Sequence, residues 1–391
     1  MTSAEASVVS AGMRLGTYEL TRPLAQGGMA DVFLAKDADG RHVAVKVLSA
    51  QRSADLESCA LFLDEARLAG LLHHKHIAGV LGADTAGGRH YLAMEYVHGA
   101  DLREILLAAS HAQSSIPFEV SLSIVAQAAA GLDHAHRRCD DKGVPLKLVH
   151  RDVSLSNIMV GHDGVVKVVD FGIARSTMST VHTSPGIVRG KASYMSPEQC
   201  MGDKVDHLTD VFALGIVLYE LTTGARCFHG KTDFERMLAV VRGDYIPPSD
   251  LVADYPAELE AIVKTALASD RKARFPSCAA MIEAIDRVLA ARGWTGGAKA
   301  IELAMRSLFG DVREPWRAAE AAVEDAPVTE IQITIIPAEP TETIRRPRRL
   351  AVGTLSDVYN PKNWRSDDVD EAVTRGHRRL RARSSSPRLA A

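Results

Sequence analysis

The hydrophobic pattern of this chain changes period once, near residue 98. From Tyr18 to Val97 it is mostly strand-like, with short β-branched runs such as Val43-Ala44-Val45 set between turn signals such as Asp39-Gly40 and Gly87-Gly88. One helical stretch interrupts this region, Leu56 to Leu72, where Leu61, Phe62, Ala66, Leu68, Ala69 and Leu72 recur at helical spacing. From Gly99 to Ala291 the pattern is mainly helical. Ile124 to Ala135, Phe212 to Leu221 and Glu258 to Leu267 read as helices, and Val165 to Val169 as a short strand. A sheet-rich first third followed by a helix-rich remainder predicts an α+β chain in two lobes, residues 18–97 and 98–293.

The flanks differ in texture. Residues 1–17 are small and polar and read as a flexible extension. Residues 294–323 read as a short helical appendage, with amphipathic stretches at Ala298 to Phe309 and Pro315 to Val323. Residues 324–391 read as a disordered tail, rich in Pro, Thr and Glu and then in Arg. From residue 341 onward, twelve Lys or Arg stand against six Asp or Glu, although the whole chain carries −3. A basic tail on an acidic body predicts an acidic partner for the tail or contact with the body itself. The overall charge gives no nucleic-acid signature.

With 391 residues, 46% of them apolar, a sizeable core is expected without disulfides or a structural metal. The five cysteines, Cys59, Cys139, Cys200, Cys227 and Cys278, are odd in number and none is at CxxC spacing, which argues for scattered reduced thiols. The longest apolar run, Val211 to Leu221, is short of the roughly 18 residues a membrane helix needs. The first residues lack the charged start and apolar block of a secretory signal. A cytoplasmic protein without a membrane span is therefore expected.

Five strings carry chemistry. Leu24-Ala25-Gln26-Gly27-Gly28-Met29-Ala30-Asp31-Val32 places glycines between two strands, where backbone amides can approach a phosphate. Val43-Ala44-Val45-Lys46 ends an apolar strand run on a lysine, and Glu65 on the following helix could pair with it. His150-Arg151-Asp152-Val153-Ser154-Leu155-Ser156-Asn157 and Val169-Asp170-Phe171-Gly172 put two carboxylates and an amide on loops flanking a strand pair. Hard oxygen ligands of this kind suit magnesium held together with phosphates. Gly190-Lys191-Ala192-Ser193-Tyr194-Met195-Ser196-Pro197-Glu198 follows, and Asp210 and Arg274 lie downstream. Each string alone is an ordinary turn, edge lysine or polar loop. All of them in this order are not.

Together these strings resemble the bacterial eukaryotic-like (Hanks-type) serine/threonine protein kinases over residues 18 to 291. The resemblance implies the two-lobed protein kinase fold, with an antiparallel sheet and one long helix in the N-lobe and a mainly helical C-lobe. It also implies ATP and Mg2+ as cofactors and protein substrates. By the same resemblance, Leu24, Gly27, Gly28, Val32, Ala44, Met94, Glu95, Val97 and Met159 would surround ATP. Met94 would be the gatekeeper, and Glu95 to Val97 the hinge that meets adenine. Lys46 would hold the phosphates and pair with Glu65. Asp152 would be the catalytic base, and Asn157 and Asp170 the magnesium ligands. His150 and Phe171 would stack, and Glu198 would pair with Arg274. Thr177, Ser179, Thr180, Thr183 and Ser184 offer activation-segment acceptors; Thr183 and Ser184 are the expected phosphosites, with Arg151 as the nearby cation. A transient homodimer would serve autophosphorylation.

The sequence departs from the family pattern at four points. Ala25 and Ala30 replace glycines of the nucleotide loop, Ser154 replaces the catalytic-loop lysine, and Lys191 replaces a threonine. Lys191 is therefore a candidate for the cation missing at Ser154. The alternative is a pseudokinase or scaffold that binds nucleotide without efficient transfer. The Tyr194-Met195-Ser196-Pro197-Glu198 segment argues against a small-molecule kinase of the same fold, such as an aminoglycoside phosphotransferase.

Overall fold

Residues 9–27, 30–53, 55–171 and 191–312 are described by the computed structural model of the chain. The strands are β1 (Arg14–Leu15), β2 (Tyr18–Gln26), β3 (Ala30–Lys36), β4 (His42–Leu48), β5 (Val80–Ala86), β6 (Arg89–Glu95), β7 (Gly99–Asp101), β8 (Ile158–Gly161) and β9 (Val166–Val168). The helices are α1 (Ala50–Ser53), α2 (Leu56–Ala69), α3 (Leu102–His111), α4 (Phe118–His136), α5 (Pro197–Met201), α6 (Leu208–Thr223), α7 (Asp233–Arg242), α8 (Pro248–Leu251), α9 (Ala257–Ala266), α10 (Cys278–Arg292) and α11 (Ala298–Phe309). The strands β1 to β6 all precede residue 98, and the helices from α3 onward follow it.

The N-lobe is one antiparallel sheet of six strands in the order β1-β2-β3-β4-β6-β5, with α2 against it. Strand alternation sorts β4 between two faces. Val43, Val45 and Val47 join Leu20, Phe33 and Ala93 in one apolar cluster. Leu48 on the other face joins Cys59, Phe62 and Ala66 of α2. Lys46 shares the parity of Leu48, so the helix-facing side of the sheet carries it. Helix α2 starts where Asp55 caps it by accepting from Ser58 N at 3.2 Å.

The C-lobe is organised around α6, whose residues from Thr209 to Thr223 are all buried. A helix apolar on every side must be surrounded, and α4, α8 and α9 pack against it. The small sheet β7-β8-β9 lies on α3 and α4. Helix α4 begins six residues before the expected Ile124, directly after Pro117. Helix α11 occupies the expected range, and it buries Ile301 and Met305 in the C-lobe core. The second stretch of the expected appendage, Pro315 to Val323, lies outside the described residues, as does the tail. Among the described residues no helix is long and apolar enough to cross a membrane.

Candidate active site

Lys46 Nζ lies 3.1 Å from Glu65 Oε1 and 2.9 Å from Asp170 Oδ1, so one ammonium joins the sheet, α2 and the segment after β9. Burial works against the lysine's charge, but the carboxylates of Asp170 and Glu65 outweigh it, and Lys46 titrates above its ordinary value. Burial pushes the Glu65 carboxyl upward. Lys46 offsets only part of this, because Asp170 adds a second negative charge. Behind Met94, a cavity of about 20 Å³ is lined by Glu65, Leu92, Asp170 and Phe171 among others, room for one water.

The loop from His150 to Asn157 hangs on a buried carboxylate. Asp210, at the start of α6, accepts from the backbone N of His150 at 2.8 Å and of Arg151 at 2.9 Å. His136 Nε2 lies 2.7 Å from the same carboxylate. Burial pushes Asp210 up, but the hydrogen bond and charge of His136 outweigh it and hold the carboxyl below its usual range. These bonds keep Arg151 at φ 64°, a left-handed conformation that costs energy for a residue with a Cβ. Asp170 also lies at positive φ, 53°.

Asn157 donates from Nδ2 to Asp152 O at 2.8 Å and to Asp152 Oδ2 at 3.3 Å. Val169 N donates to Asn157 O at 3.0 Å, which ties the loop to the strand leading into Asp170. The rings of His150 and Phe171 lie 4.6 Å apart, and His150 Nε2 is 3.1 Å from Val169 O. Ser154 is buried and its Oγ is 3.0 Å from Ser156 Oγ. Asp152, Asn157, Asp170, Lys46 and Glu65 are therefore joined by direct links or by the backbone between them.

The residues expected around the nucleotide fall on the strands and the connector between the lobes. Leu24 is on β2, Val32 on β3 and Ala44 on β4, where Ala44 pairs in register with Met94 of β6. Val97 lies between β6 and β7, and Met159 of β8 faces Asp101 of β7. Ala25 pairs with Val32, and neither Ala25 nor Ala30 is among the non-glycine residues at positive φ, so an alanine methyl carries no backbone strain at either place. Gly27 N donates to Asp31 Oδ1 at 3.3 Å. Gly28, Thr183 and Ser184 lie outside the described residues. Lys191 opens a short 3-10 turn, Lys191–Tyr194, and its side chain lies outside the described residues too.

Three contacts had no local signal in the sequence. His136 reaches Asp210 from the end of α4. Lys167 Nζ lies 2.9 Å from the Glu95 carboxylate, which also accepts from Gly79 N at 3.2 Å. The Gln199 amide donates to Arg151 O at 2.9 Å. The partners are far apart in the chain, and His136, Lys167 and Gln199 are unremarkable at their own positions.

Residues 18–284 match the family model for the protein kinase domain, and the chain belongs to that family. Its relatives are bacterial kinases. It is 39% identical over 313 residues to the tyrosine-protein kinase MasK of Myxococcus xanthus, covering 79% of this chain and 48% of that protein. It is 40% identical over 277 residues to the serine/threonine-protein kinase PknB of Mycobacterium leprae, covering 69% and 43%. The chain thus spans less than half the length of these curated relatives. The crystal structure of the Mycobacterium tuberculosis PknI kinase domain is similar with a TM-score of 0.55 at 27% identity, covering 72% of this chain and 99% of that one. The fold is the two-lobed protein kinase fold.

Proposed function

We propose that this chain transfers the γ-phosphoryl group of ATP to serine or threonine hydroxyls of proteins, including its own activation segment. The observation that carries the reading is the convergence of Lys46, Glu65 and Asp170 with the Asp152–Asn157 pair. The transition state of phosphoryl transfer is loose, so positioning and charge neutralisation do most of the work. Lys46, held by Glu65, contacts the phosphates. Asp152 orients the acceptor hydroxyl and takes its proton, and the Asn157 amide fixes the carboxylate's direction.

The donor set fits magnesium: the Asp170 carboxylate and the Asn157 amide oxygen are hard ligands, and phosphates and water supply the other positions. When bound, the ion neutralises phosphate charge. Glu95 to Val97 present the adenine edge, with Val32, Ala44 and Met159 about the ring. The substrates are proteins, and a second copy of the chain is the partner for autophosphorylation.

A tyrosine acceptor is the second reading, supported by the printed name of MasK. Incubation with labelled ATP and magnesium, followed by phosphoamino-acid analysis, decides between them. Phosphoserine or phosphothreonine is expected. Phosphotyrosine alone would replace the first reading with the second, and nucleotide binding without transfer would make the chain a pseudokinase.

A further inference from the structure

The matched kinase region ends at residue 284, yet the chain continues into α11, which packs against α3 and α4 of the C-lobe. Its entry is fixed where Gly297 N donates to Ser123 Oγ at 2.8 Å. Its inner face buries Ile301 and Met305. The turn between β8 and β9 abuts its first residues so closely that a Cβ on Gly164 would sit 1.9 Å from Ala298 O. That turn belongs to the hairpin that carries Met159.

From the last turn of α11 a row of rings runs to the connector between the lobes. Phe309 meets His162 edge-on at 6.0 Å between centroids, and His162 lies 4.8 Å from His98. His98 lies 6.5 Å from Tyr96, the residue between Glu95 and Val97. The backbone follows the same path, since His162 N donates to His98 O at 3.0 Å. His98 is buried, and His162 and Phe309 are half-buried. A packed ring row of this kind resists displacement of any one member, because each ring is a wall of its neighbour's site.

We propose that α11 is a positioning element for the nucleotide site, and that His162 and Phe309 act through His98 to set the connector at Tyr96 and the hairpin of Met159. It rests on the reading of Glu95 to Val97 as the adenine-binding segment. Neither His162 nor Phe309 touches the reacting groups. Displacing α11 should therefore weaken nucleotide binding and leave the transfer step alone.

The test uses the full chain with Phe309→Ala, His162→Ala and His162→Phe. Binding of a fluorescent ATP analogue with magnesium is titrated, and KM for ATP, KM for a peptide acceptor, kcat and the thermal midpoint are measured. An aromatic contact of ordinary strength changes an equilibrium by roughly two- to tenfold, so the two alanine variants should weaken ATP binding by about that factor. Their kcat and peptide KM should stay within about twofold of the unaltered chain, and His162→Phe should restore most of the affinity. Unchanged ATP affinity in a folded Phe309→Ala overturns the proposal. So does a fall in midpoint with all kinetic constants shifted together, the mark of a merely structural helix. If His162→Ala does not fold, Phe309→Ala and His162→Phe decide alone. If the unaltered chain binds no nucleotide, the functional reading fails and takes this one with it; binding that is equal in all variants removes this one only.

Discussion

Arg274 grips Glu198 through two parallel hydrogen bonds, Nη1 to Oε1 and Nη2 to Oε2, each 2.8 Å long. The side chains are 0% and 6% exposed. The arginine also donates to Ala268 O and Leu208 O and lies over the Phe212 ring, while Thr209 donates to the carboxylate. A buried pair with its remaining donors and acceptors satisfied anchors the first turn of α5 to the loop before α10.

This pair should make stability depend on pH. Burial pushes the Glu198 carboxyl up, but the Arg274 hydrogen bond outweighs it and the net shift is downward from 4.5. A depressed carboxyl stabilises the fold fully above its unfolded value, and the contribution is lost as pH falls through the folded value. Glu198→Gln should cost about 3–5 kcal/mol near neutral pH, since it strips a buried arginine of its counter-charge. The gap in thermal midpoint between the two proteins should narrow steadily once the pH drops below about 4.5. A gap independent of pH would reject the assignment.

Lys46→Met and Asp152→Asn should each reduce phosphoryl transfer by at least about a hundredfold, through loss of the phosphate clamp or of the oriented base. Labelled-ATP transfer is the measurement, with circular dichroism to check folding. Near-normal autophosphorylation in either variant would remove that residue from the mechanism.

The swapped lysine is tested by a double-mutant cycle. If Lys191 supplies the cation missing at Ser154, Lys191→Thr should raise the barrier by roughly 2–3 kcal/mol, as loss of other charge-stabilising groups does. Adding Ser154→Lys should then recover much of the rate. A harmless Lys191→Thr, or a second change that rescues nothing, ends the compensation idea.

Gly131 sits in α4 where the loop before β5 lies against the helix. A Cβ there would be 2.5 Å from His76 O and 3.2 Å from His76 C, and both are backbone atoms that cannot swing away. His76 in turn bonds Val166 O at 2.9 Å. Gly131→Ala should therefore destabilise the protein by about 1–3 kcal/mol despite alanine's better helix propensity, because overpacking outweighs it. Urea denaturation checks this; an unchanged or raised midpoint would show that the loop can yield.

The sequence by itself determined the class of fold and where to look for the site. The period of the apolar residues follows from local backbone geometry, so the change from strand-rich to helix-rich chain near residue 98 and helices such as α2 and α9 were legible without any partner. Lys46, Asp152, Asn157 and Asp170 stood out in the strings that carry the family resemblance, and Glu65 as a carboxylate on the helix that follows Lys46. The tertiary structure alone decided which groups share a charge. It set Lys46 between two carboxylates, His136 against Asp210, and Lys167 against Glu95. It also decided that α11, an amphipathic stretch in the sequence, buries its apolar face, Ile301 and Met305, in the C-lobe core and sets its last ring, Phe309, against His162. Those pairings join segments far apart in the chain, and an amphipathic pattern states that a face will be buried without stating against what.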